Sequence, residues 1–355
     1  MSKILITHAS FGQGHKKAAE AAASVFNAPT CDILDFTHPL LKKLYVSGYL
    51  FITDKTPFIW QAIFNLSKIN FIASGVHGLQ LFFLAPFLKH LRSQKPQIVI
   101  STHFSCPRFM RKLKKELGFK IINIVTDIRV HPLWVYESVD YYFASFEATR
   151  KDLIAQGVDP KKIICGYAAL REGFLKELNS SELRRKFSLK DRPTILFVSS
   201  SRGNFPYLKE SINQLLKDYN LIIIYGKNTK LKSYLDSLAS PYIRTFSFYE
   251  QMWELVSISS VIITKPGGLT VFEGIYKRIA FVFTHYIPGQ ETENMNIVIK
   301  HGLGRFVRGS QELVKAVNYF ANKKSFLEKE YPLEIKDIRE PLKDLVFDII
   351  DTQHE

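Results

Sequence analysis

Three stretches of this sequence carry side chains whose types and spacing suit group-transfer chemistry. The first is Thr7-His8-Ala9-Ser10-Phe11-Gly12-Gln13-Gly14-His15-Lys16-Lys17-Ala18-Ala19. A glycine-rich turn from strand to helix lets backbone approach a ligand closely, and the helix start offers free N–H groups to an anion. Gly12-x-Gly14 has no third glycine, and His15-Lys16-Lys17 stands in its place, so a nicotinamide dinucleotide is a poor fit. His15 falls in the first helical turn. There the macrodipole disfavours imidazolium and keeps a neutral base available. The plainer alternative is a capping or surface histidine.

The second stretch is Val125-Thr126-Asp127-Ile128-Arg129-Val130-His131-Pro132-Leu133-Trp134. A carboxylate at the carboxyl end of a strand lies where α/β sheets form their sites, with His131 and Trp134 in the same loop. Asp127 as a local cap and Trp134 as core is the competing reading. The third stretch is Lys265-Pro266-Gly267-Gly268-Leu269-Thr270-Val271-Phe272-Glu273. Its paired glycines permit close backbone approach, and the helix beginning near Leu269 aims N–H groups at a diphosphate. Glu273, about one turn on, suits a ribose diol. The following strand delivers Ile287-Pro288-Gly289-Gln290-Glu291-Thr292-Glu293-Asn294, where Gln290, Glu291 and Asn294 form a polar array suited to sugar hydroxyls.

Short β-branched runs alternating with helical stretches must position these residues, a pattern of parallel α/β sheets. Strands are expected over residues 3–7, 30–34, 97–101, 120–125, 141–144 and 162–165, then over 194–199, 221–225, 242–246, 260–264 and 279–283. Helices are expected over 205–217, 228–238, 249–256, 269–276 and 291–300, with 311–351 helical as well. At 355 residues the chain suits two domains of about 150–180 residues each. We place an N-terminal domain over 1–175, a polar linker over 176–192 and a C-terminal domain over 193–355. The last helix is placed to pack back on the first domain. The expected architecture is two doubly wound domains with a cleft between them.

Composition narrows the partners. With 46% hydrophobic and 23% charged residues, widespread disorder and fibrous architecture are excluded. No apolar run approaches the roughly 20 residues of a spanning helix. Three widely spaced cysteines, with no C-x-x-C, argue against a disulfide framework and a zinc site and fit a reducing, cytoplasmic compartment. The net charge is +15, and residues 36–120 hold thirteen Lys or Arg against two acids, interleaved with large aromatic and aliphatic side chains. Such a segment suits an anionic membrane face, with an ordinary helical core under a solvated basic rim as the plainer alternative. Nucleic acid is the weaker fit, since no finger, RNP-like segment or long basic helix accompanies the charge.

Taken in order, Gly-x-Gly-His, Thr-Asp-x-x-x-His-x-x-Trp, Lys-Pro-Gly-Gly-Leu-Thr-x-x-Glu and Pro-Gly-Gln-Glu-x-x-Asn resemble the diacylglycerol glycosyltransferases. These comprise the monogalactosyldiacylglycerol synthases and processive diacylglycerol glucosyltransferases, related to MurG. The motifs run from the start of the chain to about Gly304. The resemblance implies a GT-B architecture, a UDP-hexose donor, inversion at the anomeric carbon, no catalytic metal, and peripheral attachment to the inner face of a membrane. It implies His15 as the acceptor-activating base, Asp127 as a supporting or alternative catalytic residue, and His131 and Trp134 on the acceptor side. Gly14, in the first glycine turn, would be among the donor-binding residues. Gly267, Gly268, Leu269 and Thr270 would receive the diphosphate, Glu273 the ribose, and Gln290, Glu291 and Asn294 the sugar. Tyr249 and Met252, in Phe248-Tyr249-x-x-Met252, would border the uracil.

The sequence departs from the family at Ser199-Ser200-Ser201-Arg202-Gly203-Asn204, where only Gly203 remains of a glycine-rich loop and Arg202 and the serines would serve the phosphates by side chain instead; Arg202, Gly203 and Asn204 count among the expected donor-binding residues. The proline usual after Gly166 is absent, and Gly12-Gln13-Gly14 replaces a triple glycine. Rival readings are a transferase acting on a polyprenyl-linked acceptor, a sugar-nucleotide epimerase, and a non-catalytic UDP-sugar-binding membrane protein.

Overall fold

The computed structural model describes residues 4–10, 13–66, 84–198 and 205–352. The chain divides into two compact units. One comprises Met1–Arg171, Ile287–Gln290 and Ile335–Glu355, and the other Glu172–Tyr286 and Glu291–Glu334.

The first unit is built on β1 (Ile4–His8), α1 (Gln13–Phe26), β2 (Thr30–Asp32), α2 (Pro39–Lys55), α3 (Pro57–Leu66), α4 (Ala85–Gln94), β3 (Ile98–Ser101), α5 (Ser105–Leu117), β4 (Lys120–Ile124), β5 (Tyr141–Ala144), α6 (Glu147–Ala155), β6 (Ile163–Cys165) and β7 (Tyr167–Ala168). Its parallel sheet has the order β2-β1-β3-β4-β5-β6. The strands are nearly unbroken apolar runs because both faces are covered. Alternation sends Leu5, Val99 and Ile121 to one face, against Phe87 and Leu91 of α4 and Phe109 and Met110 of α5. Ile6, Ile98, Ile100 and Ile122 go to the other, against Ala18, Ala19 and Ala22 of α1. The register pairs Thr7 with Ser101, which sets the carboxyl ends of β1 and β3 side by side.

The second unit contains α7 (Ser180–Lys186), β8 (Thr194–Val198), α8 (Leu208–Leu215), β9 (Asn220–Ile224), α9 (Thr229–Ser237), β10 (Ile243–Phe246), α10 (Met252–Ser257), β11 (Val261–Thr264), α11 (Gly268–Tyr276), β12 (Ala280–Phe283), α12 (Gln290–Lys300), β13 (Gly304–Phe306), α13 (Ser310–Asn322) and α14 (Lys324–Lys329). Its parallel sheet runs β10-β9-β8-β11-β12-β13, reversing direction between β8 and β11 as the first sheet does between β1 and β3.

The segment 176–192, expected as a linker, is part of the second unit. Its charged residues face outward while Leu183 and Phe187, one helical turn apart, are buried. Lys186 ion-pairs with Glu254, and a Cβ on nearby Gly173 would lie 2.1 Å from the Trp253 ring, so the chain is packed down from Glu172 onward. At the far end the chain returns to the first unit through β14 (Lys336–Asp337), paired in parallel with β7, and α15 (Arg339–Asp351). Leu342, Val346 and Ile349 of α15 join the cluster built on the α1 alanines, whose small side chains admit a second helix closely.

Candidate functional site

In the first unit the sequence-predicted residues converge where the sheet changes direction. α1 places Gly14 and His15 in its first turn, after β1. His15 Nδ1 lies 2.7 Å from the Thr102 carbonyl oxygen and 3.1 Å from Thr126 Oγ1. A carbonyl only accepts, so Nδ1 donates, and the neutral ring keeps its lone pair on Nε2. Thr102 returns a second bond, its hydroxyl donating to the His15 carbonyl at 2.8 Å. Two strand ends thereby fix the ring.

The surroundings of His15 hold it neutral. It is partly open at the surface but closely ringed by protein, and this burial lowers its pKa; the Asp127 charge and the Thr102 carbonyl oppose the shift. His103 stands edge-on to it, ring centroids 4.6 Å apart at 79°. Asp127 is buried, and its Oδ2 accepts from Trp134 Nε1 at 2.9 Å. Trp134, expected on the acceptor side, is fully buried. With no surface to offer an acceptor, it orients the Asp127 carboxylate from beneath. His131 is half-buried and accepts from the Leu133 N–H at 3.2 Å, capping the short turn Pro132–Trp134. Thr102 and His103 were missed in the sequence. Their signal was a run of polar residues, Ser101-Thr102-His103, directly after an apolar strand.

In the second unit Gly267, Gly268, Leu269 and Thr270 form the start of α11. Gly267 caps that helix with extended backbone and no side-chain cap, leaving the first-turn N–H groups of Gly268, Leu269 and Thr270 without intrahelical partners. A Cβ added at Gly267 would meet only Glu291 Oε1 and Lys265 Nζ, both at 3.9 Å, so packing does not demand a glycine here. Lys265 and Glu291 form an ion pair beside it. Asn294, expected to touch the sugar, is fully buried; its Nδ2 donates to the Pro266 carbonyl at 3.0 Å and braces the loop. Glu273 lies one turn into α11 and is nearly closed from solvent. Gln290 opens α12.

Tyr249 sits between Phe187 and Phe246, and its hydroxyl donates to Glu254. Burial and that carboxylate raise its pKa. Met252 opens α10, and neighbouring Phe248 is 70% exposed. Arg202, Gly203 and Asn204 lie outside the described residues. Among the described residues, no three His, Cys, Asp or Glu side chains are grouped to hold a metal ion.

A helical face completes the picture of the first unit. Leu40 and Leu44 are each 71% exposed and Phe51 59%, at helical spacing on α2; Phe58 is 70% exposed on α3, with Ile59 and Ile63 also open. No described helix is long and apolar enough to cross a membrane. Part of the basic charge of residues 36–120 is paired. Lys42 binds Asp32 and Asp35, Arg92 binds Glu116, and Lys114 binds Asp140.

Known proteins resemble this chain in sequence and in fold. Residues 15–166 match the family model of monogalactosyldiacylglycerol (MGDG) synthase. A processive diacylglycerol beta-glucosyltransferase of Bacillus mycoides (strain KBAB4) is 27% identical, covering 97% of this chain and 89% of that protein. Among solved structures, MurG of Acinetobacter baumannii superposes with a TM-score of 0.60 at 15% identity, covering 98% of this chain and 99% of that one. A UDP-GlcNAc 2-epimerase of Neisseria meningitidis, bound to UDP-GlcNAc, gives 0.59 at 15% identity, covering 99% and 100%. The structural likeness establishes a fold of the GT-B type, two six-stranded parallel sheets. With its motifs in order and its similarity extending along nearly its whole length, the chain is similar to the diacylglycerol glycosyltransferases.

Proposed function

We propose that this protein transfers a hexose from a UDP-sugar to the hydroxyl of diacylglycerol or a related lipid, inverting the anomeric carbon. The observation that carries the reading is the condition of His15. Its Nδ1 proton is committed to the Thr102 carbonyl, and burial disfavours its charged form, so Nε2 is a base ready at neutral pH. The acceptor hydroxyl gives its proton to Nε2, and its oxygen bonds to the anomeric carbon. The bond from that carbon to the diphosphate oxygen breaks, and its electron pair leaves on UDP. Asp127 steadies the imidazolium that forms, being the negative charge that opposes the lowered pKa.

The second unit would hold the donor. The N–H groups at the start of α11 and the dipole behind them receive the diphosphate and stabilise it as it leaves. Lys265 adds positive charge beside Gly267. Glu273 takes the ribose, Gln290 and Glu291 the sugar hydroxyls, and the Phe248–Tyr249 segment with Met252 the uracil. Glucose is the first sugar to test, since the similar Bacillus protein is named a glucosyltransferase. The open apolar face of α2 and α3, with Lys43 exposed beside it, supports attachment to the cytoplasmic face of an anionic membrane. An epimerase would have no use for that face.

The test is incubation with radiolabelled UDP-sugars and vesicles containing diacylglycerol, followed by lipid extraction. Label is expected in the lipid phase with one hexose, and its absence with every sugar would remove the transferase reading.

A further inference from the structure

His103 is more than its local bonding requires. It follows β3 and leads into α5, and its Nδ1 accepts from the Ser105 N–H at 3.2 Å, with the Ser105 hydroxyl 2.6 Å away. An acceptor nitrogen carries no proton, so the ring is neutral with its hydrogen on Nε2. Accepting from the first N–H of α5 accounts for Nδ1, and an Asn or Ser side chain accepts such a bond as well. The rest of the ring is placed with care. One side stacks on Phe104, centroids 4.2 Å apart at 30°, and the ring stands edge-on to His15. His103 is only 2% exposed, so no water reaches His15 from that side.

We infer that His103 is a positioning residue that walls His15 off from solvent, so that the base meets the acceptor hydroxyl unprotonated. The inference rests on the reading of His15 as the base. Burial, with His15 and His8 nearby, holds His103 itself far below the ordinary imidazole pKa, so it does not compete for the proton. The other charged and titratable groups facing this cluster are Asp127 after β4, His8 at the end of β1, and, around His8, Asp32 and Asp35 after β2 and Lys16 on α1.

Two substitutions separate a dry wall from a mere acceptor for the Ser105 N–H. His103→Asn keeps an acceptor for the Ser105 N–H but is smaller and polar, admitting water beside His15. His103→Leu loses that acceptor but keeps the wall apolar. In full-length protein with UDP-hexose and diacylglycerol vesicles, His103→Asn should lower kcat about tenfold and move the acid limb of the kcat/KM profile to higher pH, with Tm near wild type. His103→Leu should keep the wild-type acid limb while losing Tm. A folded His103→Asn variant with wild-type kcat and acid limb overturns the inference. Should His103→Asn not fold, His103→Leu decides: a retained acid limb upholds the wall and an upward shift overturns it. His15→Ala, run alongside, tests the underlying base separately. If it remains active the base reading fails, and if it alone is inactive only the role of His103 fails.

Discussion

In the first unit the switch between β1 and β3 is filled with imidazoles: His8, His15 and His103, all buried or closely ringed, all with lowered pKa. In the second unit the loop after β11, at the switch between β8 and β11, presents a bare glycine, open N–H groups and an ion pair. Two sheets of like topology thus put different materials at the same place. Proton transfer needs a group whose charge is costly, and burial makes it so. Anion binding needs donors fixed in advance, and a helix start without a side-chain cap supplies them. The proposed reaction divides its tasks in the same way, with the base read in one unit and the leaving-group site in the other.

That division can be broken first at His15. His15→Ala should cost about 10²–10⁴-fold in kcat while leaving UDP affinity unchanged by calorimetry; a parallel loss of UDP binding would erase the distinction. The next largest effect is on stability. The native histidines titrate below 6.5 and the unfolded ones near it, so the unfolded chain binds more protons as pH falls past that value. Stability present above pH 6.5 should therefore be lost on acidification, by at most about 1.4 kcal/mol per pH unit for each of the three. A Tm that is flat from pH 7 to 5.5 would contradict the burial argument.

Gly267→Ala sharpens the other side of the comparison. Since the protein itself has room for the methyl, Tm should hold, while UDP binding should weaken about tenfold, roughly 1.4 kcal/mol, because the backbone approach is blocked. Unchanged affinity would place the diphosphate elsewhere. The smallest effect concerns the lipid face. Leu44→Glu or Phe58→Glu should reduce cosedimentation with anionic vesicles about fivefold and leave UDP binding alone. Equal cosedimentation would move the membrane contact off α2 and α3.

Much of this was legible in advance. All eleven expected strands form, within about two residues at their ends, because buried parallel strands declare themselves as β-branched runs. β13 was missed because Gly304-Arg305-Phe306 is no such run; the glycine is needed where a Cβ would meet the Phe281 carbonyl at 2.8 Å. Residues 176–192 read as a linker because charge dominates them, and only the Leu183–Phe187 spacing betrays a buried side. At the candidate site, the strand-to-loop positions of the motif residues are readable in sequence, but the direction of their side chains is not. Trp134 and Asn294 look alike as ligand contacts or as braces until burial is known, and both prove to be braces. Thr102 escaped notice because its carbonyl, a feature of every residue, does the work.

The most direct measurement is nitrogen-15 NMR of the His15 ring through a pH titration of the full-length protein. The account predicts a neutral ring at pH 7, proton on Nδ1 and lone pair on Nε2, with protonation only below the ordinary imidazole range. An imidazolium at pH 7, or a neutral ring with its proton on Nε2, would contradict it.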